Sequence, residues 1–515
     1  MPTYLIGIDV GTTGSKAVLL SADGDVKASV TNEYPMYTPH AAWAEQDPSD
    51  WWRATIASIR GVMEQAAAKP ADIAGIGLTG QMHGLVALDA GGQVLRRCIM
   101  WNDQRTAAQC AAITRQVGFE NLLRLTGNPV LPGFTAPKIV WVRENEPEVY
   151  ARIASVLLPK DYIRYCLTGG FFSDVSDASG TSLFDVGQRN WSDDMLKALN
   201  IPRQWLPEVT ESPVVSARVN GEAARLCGLL EGTPVVGGGG DNAAANVGVG
   251  VIREGIVSVS LGTSGVVFAA SDTYRIEPNG KLHAFCHAVP GMWHLMGVML
   301  SAAGSFRWYR DALGDAERAA AAASGRDVYD ILTEGAGGVP AGCEGLLFLP
   351  YLTGERTPHP DPDARGVFFG LSLRHGKAHL TRAVLEGVSF GLRDSLELMK
   401  DLQLPINQVI ALGGGARSPL WRQILADIFA TGLVTVNVTE GAPFGAALLA
   451  GVGASVYPDV ATACRTVVRV SGETSPGAAA AVYADYYPRY RSLYPTLAPE
   501  FKALASVVNK HASAG

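Results

Sequence analysis

Asp9 is followed by Gly11-Thr12-Thr13-Gly14-Ser15-Lys16, and Leu261 by Gly262-Thr263-Ser264-Gly265, each break set between two apolar runs. Such runs read as two strands joined by a tight glycine hairpin, because glycine takes the backbone angles the turn demands. The N–H groups and hydroxyls of Gly11, Thr12 and Thr13, and of Gly262, Thr263 and Ser264, would form concave cradles for an anion. Two copies roughly half a chain apart suggest two related lobes, each offering a phosphate loop to one shared cleft. A nucleoside triphosphate is the ligand they imply. A carboxylate beside such a loop would repel phosphate unless a cation lay between them. Asp9 is therefore assigned to Mg²⁺, directly or through water, since magnesium dehydrates reluctantly. Thr12 and Thr13 would donate to phosphate oxygens and Lys16 would add positive charge. The GxxxxGK[ST] spacing of a Walker loop is absent.

A second constellation is the glycine run 237–240 leading into Asp241-Asn242. Four glycines would let the backbone approach a ligand at a strand end. Asp241 then falls at the start of a helix. There it is either a simple N-cap or, aimed at a substrate hydroxyl, the proton acceptor that phosphoryl transfer needs. The helix dipole and cap bonds should lower its pKa, so that orientation matters more than basicity. Asn242 could hydrogen-bond another hydroxyl of the same substrate.

Gln81-Met82-His83-Gly84 follows an apolar strand, and its polar side chains suit a polyol-binding edge. The histidine alone reads equally well as structural. Trp101-Asn102-Asp103 would add an aromatic wall and polar contacts, since aromatic faces stack on the apolar side of a sugar. Trp43, Trp51 and Trp52 read as core. Gly413-Gly414-Gly415, between a strand and a helix, would let the backbone lie against an adenine or ribose. Arg417 and Ser418 are either nucleotide contacts or surface loop.

These residues need a large scaffold. At 515 residues the chain is too long for one ordinary core. With 47% apolar and 18% charged residues it is a soluble globular composition. A net charge of −7 without a basic tract argues against nucleic acid as a partner. No apolar stretch of roughly twenty residues and no basic leader appears, so no membrane role is expected. Seven cysteines without paired spacings fit reduced thiols in the cytoplasm. Strand-like runs at 5–10, 17–20, 73–78 and 86–89 alternate with helical ones at 48–69, 106–116, 137–145 and 193–199, an α/β pattern. A boundary is expected near 247–254. Beyond it, strands at 294–299 and 409–412 alternate with helices at 303–312, 378–400 and 419–430. Residues 335–342 read as loop, and 315–342 could carry an insertion.

DVGTTGSK, LTGQMHG, GGGDNAA, SLGTSG and GGGAR, in that order over essentially the whole chain, resemble the FGGY family of carbohydrate kinases. Two longer stretches, residues 133–142 and 366–387, match that family's characteristic patterns. The resemblance implies two actin-like (ribonuclease H-like) domains with nucleotide and sugar in the cleft between them, closing on substrate. On this reading residues 1–250 form the first domain, 251–490 the second and 491–515 a tail that caps it. WAEQDP at 43–48, the Gln-Met-His block, WND at 101–103, LPKDY at 158–162 and GERTPH at 354–359 are most similar to the members that phosphorylate D-xylulose at its 5-hydroxyl with ATP. Carried over by position, the resemblance makes Asp241 the catalytic base, Met82 and His83 sugar contacts, Asp9 the support for Mg-ATP, and Thr263 with 413–415 nucleotide contacts. Members acting on ribulose, gluconate or glycerol are the near alternative; an actin-like nucleotide switch without a small substrate is the distant one. A homodimer fits the resemblance.

Overall fold

The computed structural model describes residues 3–512. It resolves into two compact units, and the chain crosses between them repeatedly. One takes the chain through Arg253 together with Ala270–His294 and Asn437–Arg469; the other takes Glu254–Ala269, Leu295–Val436 and the chain from Val470. Residues 270–294 and 437–469, placed by sequence in a contiguous second domain, therefore pack with the first. For 437–469 the reason is an apolar helix considered below.

In the first unit YLIGIDV forms strand β1 (Tyr4–Val10), which turns back into β2 (Gly14–Ser21) and then β3 (Val26–Glu33). Four more strands follow in the chain: β4 (Ile73–Gly80), β5 (Val215–Arg218), β6 (Pro234–Val236) and β7 (Gly239–Gly240). The sheet order is β5-β6-β4-β1-β2-β3, with β7 also paired to β4. Alternate residues of β1 serve two cores. Ile6 and Ile8 pack with Trp51, Ile59 and Val62 of the helix Pro48–Gln65, while Leu5 joins Phe444 and Leu448. A strand covered on both faces needs a near-continuous apolar run, which is what its sequence shows.

The covering element on that second face is the helix Ala442–Gly453, apolar on every side and buried from Pro443 to Gly451. Its backbone lies directly on the sheet. A Cβ on Gly7 would sit 1.8 Å from the Pro443 carbonyl oxygen, and one on Gly77 would sit 1.8 Å from that of Ala446. Only glycine at these two strand positions admits the helix.

The second unit repeats the plan with β8 (Gly255–Leu261), β9 (Gly265–Ser271), β10 (Trp293–Met299), β11 (Ile406–Leu412), β12 (Leu433–Val436) and β13 (Val470–Thr474). They run in the order β10-β9-β8-β11-β12-β13. β1 is antiparallel to β2 and parallel to β4; β8 is antiparallel to β9 and parallel to β11. The duplicated sequence phrase is thus a duplicated topology. Two sequence expectations need correction. Residues 335–342 are not all loop: 335–337 close the helix Val328–Gly337, which follows Asp315–Ser324, a helix built on a run of alanines with high helix propensity. Residues 491–512 are no separate tail, since one helix runs from Ala479 to Ala512. Tyr483, Tyr487 and Tyr494 bind it to Glu386, Asp394 and Asp361 through hydroxyl bonds of 2.6, 2.7 and 2.8 Å. The last three residues lie outside the described chain.

Candidate active site

The register of the first sheet brings the candidate acids together. Asp9 lies opposite Thr79 and Val10 opposite Gly80 across β1 and β4, while Gly240 of β7 lies opposite Gly80 from the other side. Asp9, the Gln81-Met82-His83 block and Asp241 therefore leave the carboxyl ends of neighbouring parallel strands, where ligands of α/β sheets bind. Asp9 and Asp241 are close enough that the Asp241 charge helps raise the Asp9 pKa to about 7, after burial and against the pull of Lys16. Oδ1 of Asp9 is buried and accepts no hydrogen bond among the described residues.

Asp241 opens the helix Asp241–Gly248, whose N-cap is Gly240. Its Oδ1 accepts the backbone N–H of Asn242 at 2.7 Å and the Asn242 side-chain amide at 2.9 Å. Those bonds lower its pKa, as sequence reasoning anticipated, but burial outweighs them and lifts it to about 6. The expected weak base is instead a carboxylate of useful basicity near neutral pH. Asn242 braces Asp241 through the same two bonds.

The four glycines before Asp241 also have a different job from the one expected. A Cβ on Gly238, whose φ is 70°, would stand 1.9 Å from the Leu78 carbonyl oxygen. One on Gly240 would stand 2.8 Å from the Met82 sulfur. The glycines make room for the protein's own strand and for Met82. The sugar-edge block is therefore packed against the residue preceding Asp241.

His83 adopts a positive φ of 71°. Its ring stacks on Phe134 at 4.4 Å, and Nδ1 donates to the Gly180 carbonyl at 2.6 Å. Its carbonyl accepts the Thr135 hydroxyl at 3.1 Å and the Lys138 ammonium at 2.8 Å. Burial holds the Lys138 pKa down to about 7. Sequence reasoning noted the stretch 133–142 but assigned it no role, and it is the support of His83.

Three candidates are placed differently from expectation. Gln81 is buried and bound, its Nε2 donating to Gln46 at 3.0 Å while its Oε1 receives the Thr12 hydroxyl at 3.5 Å. It ties the first hairpin to the end of β4. Asp103 is wholly buried. Its two oxygens are taken by the Ala44 N–H at 2.7 Å and by three Arg105 donors, and Arg105 stacks on Trp43 at 3.6 Å. It shapes the loop rather than touching a substrate. Lys16 is paired with Glu440 at 2.6 Å, a partner from the distant segment that sequence spacing does not reveal. Trp101 remains 40% exposed, its Nε1 donating to the Thr12 hydroxyl at 3.0 Å, so it stands beside the hairpin as an open aromatic wall.

In the second unit a cavity of about 410 Å³ is lined by Gly262 and Thr263 of the second hairpin and by Gly414, Gly415, Arg417 and Ser418 after β11. β8 and β11 are paired up to Ser260 opposite Leu412, which sets hairpin and glycine turn side by side. Gly413 has φ 83° and a Cβ there would press on the Leu261 backbone at 2.8 Å. It forms the turn, while Gly414 and Gly415 face the cavity. Ser264, on the exposed tip of the hairpin, is outside that lining. Phe306, Tyr329 and Trp421 supply aromatic surface, and Asp327, Asp330 and Thr333 supply polar atoms. The last three and Tyr329 come from the segment the sequence left unassigned; the capping Asp327 before an apolar-periodic run was the available signal. An apolar wall beside backbone N–H groups suits a flat base carrying phosphates.

Residues 4–248 match the FGGY family of carbohydrate kinases, N-terminal domain, and residues 257–454 match its C-terminal domain. The chain is 42% identical to the xylulose kinase of Escherichia coli (strain K12) over 96% of its own length and 99% of that protein. Among solved structures it resembles xylulose kinase from Rhodospirillum rubrum with a TM-score of 0.89, 32% identity and coverage of 97% and 100%. It also resembles gluconate kinase from Lactobacillus acidophilus, with a TM-score of 0.91, 28% identity and coverage of 98% and 100%.

Proposed function

Since this chain belongs to the FGGY family of carbohydrate kinases, we propose that it phosphorylates D-xylulose at the 5-hydroxyl with ATP, Asp241 accepting the hydroxyl proton. The observation that carries the reading is Asp241 itself: a carboxylate with a pKa of about 6 at the strand ends, directly after Gly240, on which Met82 packs. The choice of D-xylulose rests on the activity named for the relatives.

The substrate hydroxyl oxygen attacks the γ-phosphorus while the bond from phosphorus to the β–γ bridging oxygen breaks, and ADP departs with that oxygen. The hydroxyl proton passes to Asp241. In a loose transition state the proton leaves late, so the bonds from Asn242 that fix the carboxylate matter as much as its basicity. His83 and Asn242 would orient the sugar, and Trp101 would cover its apolar side. Thr12 and Thr13 would bind phosphate oxygens, and Thr263 with Gly414 and Gly415 would contact nucleotide in the cavity of the second unit. Asp9, with an unpartnered buried oxygen in a site that raises its pKa, fits a magnesium ion, held directly or through water. Bound there, Mg²⁺ would neutralise charge on the phosphates. Seven free thiols, six of them buried, support a reducing compartment such as the cytoplasm.

The test is sugar-dependent ADP release by Asp241→Ala. Turnover should fall by on the order of 10²–10⁴-fold, the usual contribution of a positioned proton acceptor, with ATP binding by calorimetry largely unchanged. Turnover near that of the parent at saturating D-xylulose and ATP would refute the role.

A further inference from the structure

Behind the 237–240 strap lies a group of charges that the reaction above does not use. Lys160, Asp161, Arg164, Asp174 and Asp177 all have no exposed surface. The Lys160 ammonium stands 2.6 Å from Asp161, 2.9 Å from Asp174 and 3.3 Å from Asp177. Arg164 reaches Asp161 at 2.9 Å, and Ser173 donates to the same carboxylate at 2.7 Å. Taking five ionisable groups out of water is costly, and apolar residues of similar volume often serve stability as well or better. Stability alone is a poor reason for such a cluster. What it touches supplies a better one.

The cluster grips the strap at both ends. Arg164 donates to the Gly237 carbonyl. At the other end the Gly240 N–H donates to the Ser176 hydroxyl at 3.1 Å. That hydroxyl donates in turn to Asp174 at 2.6 Å, whose other oxygen meets Lys160. A glycine segment has no side chains with which to anchor itself and the widest conformational freedom of any residue type. Its geometry must be imposed from outside, and Asp241 is the next residue.

We propose that Ser176, polarised by Asp174 and Lys160, is a positioning residue that fixes the Gly240 N–H and thereby the direction of the Asp241 carboxylate. The proposal rests on Asp241 being the proton acceptor. Ser212 provides a matched control. It too donates to Asp174, at 3.0 Å to the same oxygen, but its hydroxyl does not hold Gly240.

The experiment compares Ser176→Ala, Ser212→Ala, Asp241→Asn and the double variant Ser176→Ala/Asp241→Asn in steady-state kinetics with D-xylulose and ATP. Ser176→Ala should lower kcat about tenfold or more, as expected when an attacking geometry is loosened, with KM for ATP within about twofold. Ser212→Ala, which removes an equivalent bond from the same carboxylate, should keep kcat within about twofold of the parent. In the Asp241→Asn background Ser176→Ala should have no further effect. Should Ser176→Ala not fold, Ser176→Cys keeps the volume with a poor acceptor and should show the same loss. An unchanged kcat for the folded Ser176 variant, equal losses in Ser176→Ala and Ser212→Ala, or a full additional loss in the double variant would overturn the proposal. Full activity in Asp241→Asn would instead overturn the proton-acceptor reading beneath it.

Discussion

At the scale of single residues, charge burial governs the site. Asp9 and Asp241 stand at adjoining strand ends, and each carboxylate is held above its ordinary pKa, chiefly by burial. An Asp9 carboxyl with a pKa of about 7 in the folded chain and 3.8 in the unfolded one burdens the native state whenever it is ionised. Between those values the native state binds more protons than the unfolded state, so this group's contribution to stability falls as pH rises. Asp9→Asn removes the burden. It should raise thermal stability at pH 8 by on the order of 1 kcal/mol or more, and the gain should vanish towards pH 4. Turnover should be lost. Melting curves of the two proteins at several pH values check this, and an equal or lower stability at pH 8 would contradict it. Asp9 and Asp241 stood out in the sequence because each lies beside closely spaced glycines at the end of an apolar strand. The direction of the Asp241 shift was not legible, because the helix terminus is visible in sequence and the depth of burial is not. Asp103 was misread for a related reason: its partner Arg105 is adjacent in sequence, but that the loop buries the pair depends on Trp43 and Ala44.

At the scale of elements, both hairpins were legible because an apolar run, a glycine turn and another apolar run have few other solutions. What was not legible is which helix covers β1 and β4. The helix Ala442–Gly453 is separated from them by most of the chain. The only sign of its approach was a pair of strand glycines, Gly7 and Gly77, and a glycine inside a strand marks a β-bulge as readily as a close backbone contact. The contact is at backbone distance, so it cannot yield as a flexible side chain would. Gly77→Ala should force the helix off the strand and cost about 3 kcal/mol or more, at or beyond the upper end for overpacked cores. Chemical denaturation measures it; a loss under about 0.5 kcal/mol, typical of a neutral surface change, would mean that the helix has room to move. The unassigned segment 315–342 shows the same limit. Its alanine-rich helix was readable from propensity, but its contribution to a cavity wall depends on packing that no local pattern encodes.

At the scale of the whole molecule, β8, β9 and β11 repeat the plan of β1, β2 and β4, one unit carrying Asp9 and Asp241 at its strand ends and the other a cavity with aromatic and backbone N–H surface. Composition and motif order made that division legible. The interleaving of the units was not, because residues 437–469 return to the first unit through the 442–453 helix, a tertiary preference rather than a local one. In the proposed reaction neither hairpin would specify the acceptor; that would fall to the Met82-His83 edge and Asp241, where one or two contacts can redirect a sugar preference. The most direct measurement is kcat/KM for ADP release by the intact protein with ATP across D-xylulose, D-ribulose, gluconate and glycerol, with the product identified by mass and phosphorus NMR. D-Xylulose should exceed every other acceptor by about tenfold or more, giving the 5-phosphate. A higher kcat/KM for another acceptor, or ADP release at the same rate without any sugar, would contradict the account.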